Sequence, residues 1–347
     1  MHRAVLLITA LICSAGLAHT AMGQTWLAES AHVLPSTDTG WGATAFDEAT
    51  GRLFVARRAD GLLVWDMKTL QSITVENSVG ANGIVLAPEF NRAYAAMADG
   101  TLLSFDATTL KPIDRQDLGT GDLDQAFYEP TQKRIHVITG ARAEKVMWIT
   151  LDAANGQVLG RTEFSSKRMD PPATDGHGAI FAPMRDRGQL LQLDAQDLSV
   201  KKTWKLGDCT QPAAALWDPA AERVLIGCRG EKPVFVALSP SAGVVATVPI
   251  GQGVGGLVFD ASRHLVVTAN GADGTFSVIR QDKPDAYALV ETIATRPMTR
   301  VLQLDGRTGR LVTVTASFTE AAPAATGKAG EVFYHPDSFS ILTYRMK

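Results

Sequence analysis

The chain predicts an all-β fold: a seven-bladed β-propeller closed by pairing of an N-terminal strand with the C-terminal blade. Three observations point there. Apolar residues alternate with polar ones or form short runs bounded by Gly, Asp, Asn and Pro, and no segment sustains a helical period. An apolar run, a polar turn and a second apolar run recur seven times. The turn positions are Asp47, Ala87, Glu129, Asp175, Asp218, Asp260 and Asp305, spaced roughly 40–46 residues apart, as propeller blades are. Finally, the last unit lacks a fourth strand while the N-terminal region holds one with no unit of its own.

The units begin at Ala43, Ile84, Gln125, Pro171, Ala214, Gly256 and Val301. Most reach a third strand that closes on an acid, as at Asp66, Asp106, Asp152 and Asp194. One four-stranded unit has two apolar faces and cannot bury both. Radial stacking of several units buries them and leaves only short edges. The seventh unit supplies Val301–Asp305, Arg310–Ala316 and Phe339–Met346. The stretch TWLAESAHVL, from Thr25, is expected to complete it as the outer strand. Residues 317–338, rich in Ala, Pro, Gly and Thr, interrupt this unit and read as a long flexible loop.

Residues 1–23 carry Arg3, an apolar run from Ala4 to Ile12, and Ala21 and Gly23 placed for cleavage before Gln24. That is the pattern of a secretory signal peptide, too short to span a membrane. Cys13 follows Ile12, where lipoprotein processing needs a small residue, so lipidation is disfavoured. The expected product is a single domain, residues 24–347, periplasmic or secreted, with no membrane span. Only Cys209 and Cys228 then remain, and an oxidising compartment favours a disulfide between them. Two buried free thiols are the alternative. A metal site is less fitting, because no His or Cys stands nearby to complete a ligand set.

The net charge of −3 gives no electrostatic bias toward nucleic acid or anionic membranes, despite basic loops around Arg57, Arg58, Arg142, Lys145, Arg185 and Arg187. There is no Gly-x-Ser-x-Gly elbow, no Cys-x-x-Cys-His and no His-Glu-x-x-His. Beyond residue 23 the histidines, His32, His136, His177, His264 and His335, are isolated in sequence. No catalytic residue, metal or cofactor is assigned.

The stretches RLFVARRADGLLVWDMKTL, VVTANGADGTFSVI, DCTQPAAALWDPAAERVLIGCRG and ATDGHGAIFAPMRDRGQLLQLDAQDL resemble repeats of the YVTN-repeat, YncE-like family of exported bacterial seven-bladed propellers. The resemblance spans residues 40–315. Only Val267, Thr268 and Asn270 approach the family's Tyr-Val-Thr-Asn core, and the other units have drifted. The resemblance implies a propeller with a central channel. It brings no single chemistry and no catalytic residues.

In a propeller the links between consecutive blades gather at one mouth of the channel. Those links suggest a ligand-binding set of Trp41, Asn82, Asp124, Asp175, His177, Gln211, Arg296 and Arg300. Two arginines among amides, acids and a tryptophan suit a small polar or anionic ligand, because the guanidinium fork matches carboxylate and phosphate. The acids stand beside glycines in tight links, where a carboxylate also serves local backbone amides. The favoured reading is a monomeric binding or scaffolding propeller whose partner is a small molecule or a periplasmic protein. The alternative is a propeller enzyme, a lactone hydrolase or lyase, with a metal or His/Arg site at the hub.

Overall fold

A computed structural model describes residues 25–321 and 330–347. Those residues form seven four-stranded sheets and one two-stranded ladder. In each of the first six sheets the strands pair in chain order, from the channel outward. The first holds Thr44–Asp47, Arg52–Ala56, Leu62–Asp66 and Gln71–Thr74. The expected signal peptide lies outside the described residues.

Alternation along the strands explains why the sheets stack. In the first blade Leu53 and Val55 join Val312, Val314 and Ile341 of the seventh. Phe54 and Ala56 instead join Ile84, Ala93 and Ala95 of the second. Period-2 geometry sends successive side chains to opposite faces, so each blade contributes to two cores. The remaining blade contacts repeat this, and seven buried clusters fill the seven gaps of the ring.

The acids at the turns have a local task. Asp47 accepts from the Ala49 amide at 3.0 Å and the Thr50 hydroxyl at 2.6 Å. Glu129, Asp218, Asp260 and Asp305 cap the equivalent turns in their own blades. At the second blade, where Ala87 stands, a short 3-10 turn over Pro88–Phe90 replaces the carboxylate. These are side-chain substitutes for backbone turns, and they explain the repeated Asp in the sequence.

The ring closes as the sequence predicts. Trp26–Val33 pairs antiparallel with Ser340–Met346, from Trp26 opposite Met346 to Val33 opposite Ser340. Trp26 is fully buried, and its indole N–H donates to the Gly309 carbonyl at 2.8 Å. Arg310 grips Glu29 through two bonds of 2.8 Å. The Thr25 amide reaches the Glu291 carboxylate of the sixth blade at 2.9 Å. The interrupting segment is more regular at its base than the loop expected from composition. Phe318–Glu320 pairs with Val332–Tyr334, and residues 322–329 lie outside the described residues.

Cys209 and Cys228 form a disulfide with Cα atoms 5.3 Å apart. It ties the link entering the fifth blade to that blade's second strand, within the core shared with the fourth.

His136 lies in the third blade's second strand, fully buried, with its ring stacked 4.9 Å from Phe127. Its Nδ1 meets the Thr150 hydroxyl at 3.1 Å. Burial, reinforced by Arg134, pushes its pKa down to about 3.

Two outcomes are expected. Removing residues 25–33 should lower the melting temperature by on the order of 10 °C, since burial of Trp26 alone is worth ~3 kcal/mol or more. An unchanged calorimetric melt would show that the strand does not close the ring. The second outcome concerns acid. The unfolded chain takes up a proton on His136 near the ordinary 6.5 and the folded chain only near 3. The contribution to stability is therefore complete above about 6.5 and is lost as the pH falls toward about 3, roughly 4–5 kcal/mol in all. His136→Leu should flatten the stability–pH curve there. Urea unfolding at several pH values reads the slope, and equal slopes in both proteins would refute the assignment.

Candidate functional site

The innermost strands all run the same way along the channel, so their starts share one end. Antiparallel pairing brings the end of every second strand to that same end. A cavity of about 450 Å³ opens there, lined by the first residues of the inner strands and the last residues of the second strands.

Of the eight residues expected at the mouth, Trp41, Asn82, Asp124 and Arg300 line this cavity. The other four do not. Asp175 and His177 lie in the turn after the inner strand Ala173–Thr174, at the channel's other end. There Asp175 accepts from the His177 amide at 2.7 Å and the Ala179 amide at 2.9 Å, as the turn acids do elsewhere. Reading TDGHG as an inter-blade link misplaced it by one strand. The true link into the fourth blade is 165–172, and it carries Arg168 and Asp170 into the cavity. Gln211 is the exposed first residue of the fifth blade's inner strand and is absent from the lining. Arg296 is exposed and borders a separate depression with Pro297, Thr315 and Ser317.

Four arginines were not expected at the mouth, two of which, Arg58 and Arg185, stood among the basic loops. Arg58, Arg168, Arg185 and Arg229 join Arg300 in the lining. Arg229 ends a second strand, and Arg58 and Arg185 follow the ends of theirs. The signal was present in the parallel stretches LFVARR, IFAPMR and LIGCR, which carry arginine at the same strand end. Sequence reasoning looked only at links between blades and so passed over it.

The charges fall into two groups. Asp170, with 2% of its side chain exposed, takes Arg185 at 2.5 Å and Arg168 at 3.6 Å. Arg168 also reaches Asp124 at 2.9 Å, and Asn82 holds the other Asp124 oxygen at 3.1 Å. The second carboxylate oxygen of Asp170 is buried and lacks a hydrogen-bond partner. Burial pushes the Asp170 carboxyl up, against the pull of Arg185, Arg168 and Arg229. The second group is cationic. Arg229 donates from Nε to the Val254 carbonyl. Arg300 donates to the Trp41 carbonyl at 2.6 Å and lies 5.3 Å from the Trp41 ring. Burial lowers Arg185 and Arg300, and it brings Arg229 down to about 10. All three guanidinium groups are poorly hydrated, a state that an arriving anion relieves.

Glycine makes room for the arginines. A Cβ on Gly255 would stand 2.6 Å from the Arg300 carbonyl oxygen and 3.1 Å from an Arg229 terminal nitrogen. At Gly42 it would fall 1.9 Å from the Asn82 carbonyl oxygen. Only a bare backbone lets neighbouring inner strands approach this closely.

Four half-buried guanidinium groups and the exposed Arg58, against two carboxylates, leave a positively charged bowl. It can hold an anion by charge-assisted, bidentate hydrogen bonds. Among the described residues no three His, Cys, Asp or Glu side chains come together as a cation set. His177, named for the enzymatic alternative, is absent from the lining.

No protein-family model matches the chain, and no curated protein matches it in sequence. Among solved structures, a chain in the crystal structure of a mitotic checkpoint complex is similar over 97% of this chain and 99% of that one, with a TM-score of 0.69 and 12% identity. At that identity the likeness shows the propeller fold alone.

Proposed function

We propose that the chain is an exported propeller that binds a small anionic molecule in the arginine-lined end of its channel. One observation carries the reading: Arg58, Arg168, Arg185, Arg229 and Arg300 converge on one cavity that holds only Asp124 and Asp170 in opposition. A merely structural cluster would tend toward charge balance, because unpaired buried charge is costly. The volume falls in the range of small-molecule sites. The overall negative charge confines the attraction to the recess and disfavours polymeric anions.

Export is part of the proposal. It rests on the signal-peptide pattern of residues 1–23 and is compatible with the Cys209–Cys228 disulfide. Among the described residues no helix is long and apolar enough to cross a membrane. Intact mass of protein recovered from the exported fraction should correspond to a chain starting at Gln24. A retained Met1 would remove the export half of the reading.

For binding, purified protein is titrated calorimetrically at low ionic strength with succinate, inorganic phosphate and sulfate. At least one should bind, and a hundredfold excess over Kd should add about 2.7 kcal/mol to the unfolding free energy. Binding should weaken as salt is added. Silence from all three anions, with a cation such as choline behaving identically, would end the anion reading.

A further inference from the structure

Resting on the anion-binding reading above, we propose that the ligand carries at least two negative groups set apart on one small skeleton, the chemistry shared by tricarboxylates and bisphosphates. The argument starts from which arginines are already neutralised. Arg168 pairs with Asp124 and Asp170, and Arg185 pairs with Asp170. Among the described residues Arg58, Arg229 and Arg300 have no carboxylate within ion-pair distance, so three positive charges remain to be met.

Those three charges are spread around the ring. Arg58 follows the second strand of the first blade, Arg229 ends that of the fifth, and Arg300 stands in the link into the seventh. The first and fifth blades are three steps apart, the greatest separation a ring of seven permits. Arg300 and Arg58, from neighbouring blades, form one pole: the Arg300 guanidinium reaches the Trp41 carbonyl in the link into the first blade, and the Arg58 charge acts on it. The Arg229 guanidinium forms the other, beside Gly255 and bonded to the Val254 carbonyl of the sixth blade.

Size agrees with charge. A cavity of about 450 Å³ lies in the size range of small-molecule sites. One carboxylate or phosphate group would occupy a small part of it and engage one pole. A skeleton of a few carbons bearing a group at each end reaches both. The buried Asp170–Arg185 pair fixes that part of the wall before the ligand arrives.

The test is a valence series on the intact protein at low ionic strength: butyrate, succinate and propane-1,2,3-tricarboxylate, with glycerol 1-phosphate and fructose 1,6-bisphosphate as the phosphate arm. Affinity should rise about tenfold with each added charged group in at least one arm, as charge-assisted contacts accumulate. The arm that rises identifies carboxylate or phosphate as the source. Arg58→Gln, at the paired pole, should weaken every binder. Arg229→Gln should cost the multivalent binders about tenfold more than it costs the monoanions, and Arg229→Lys should restore part of that loss. If monoanions bind within about threefold of the multivalent members, this inference fails while the anion reading stands. If no member of either arm binds, both fail. The valence series needs no variant, so a substitution that fails to fold does not spare the proposal.

Discussion

The ladder between Trp26–Val33 and Ser340–Met346 is the contact on which the rest of the molecule depends. Seven sheets with apolar faces on both sides make a stable object only if the first and last meet. The cluster that joins them contains Trp41, Leu53 and Val55 from one side and Val312, Val314 and Ile341 from the other. Were the seventh blade missing its outer strand, its third strand would present an open edge. The clasp covers that edge with residues more than 300 positions away in sequence, and the indole of Trp26 anchors it on Gly309. Loop closure of that span costs entropy that grows only slowly with length.

Closure also creates the cavity. Because each blade starts at the channel and runs outward, all inner strands begin at one end, and every second strand finishes there. Side chains from blades far apart in sequence are therefore delivered to one small volume by rigid strand ends. The ion-pair group around Asp170 organises the walls, and the disulfide steadies the neighbouring strand, since Cys228 immediately precedes Arg229. What the walls leave unsatisfied is positive charge in a poorly solvated recess. There a charge-assisted bond counts for more than at an open surface.

The propeller shared with a chain of a mitotic checkpoint complex at 12% identity carries little functional information. One architecture hosts many unrelated tasks, so the functional argument must stand on the site. Here it stands on charge imbalance within the cavity, a property of these residues and not of the fold.

Blade number, strand order and the closing strand were legible in the sequence because their causes are local. Alternation sorts side chains between two faces, and an acid such as Asp47 or Asp218 caps the next turn whatever lies elsewhere. Trp41, Asn82, Asp124 and Arg300 could be placed near the mouth because they immediately precede or begin inner strands. Asp175 and His177 were misplaced because blade four has an inner strand of only two residues, so a turn passed for a link. Arg58 and Arg185 were read only as basic loops, and Arg229 was not singled out, for a different reason. Their shared position follows from antiparallel pairing, which puts a strand's end beside its neighbour's start. Convergence of charges across a ring is a through-space fact, and no window of neighbouring residues contains it. Only the closed tertiary structure decided which arginines face one another and which of them lack a partner.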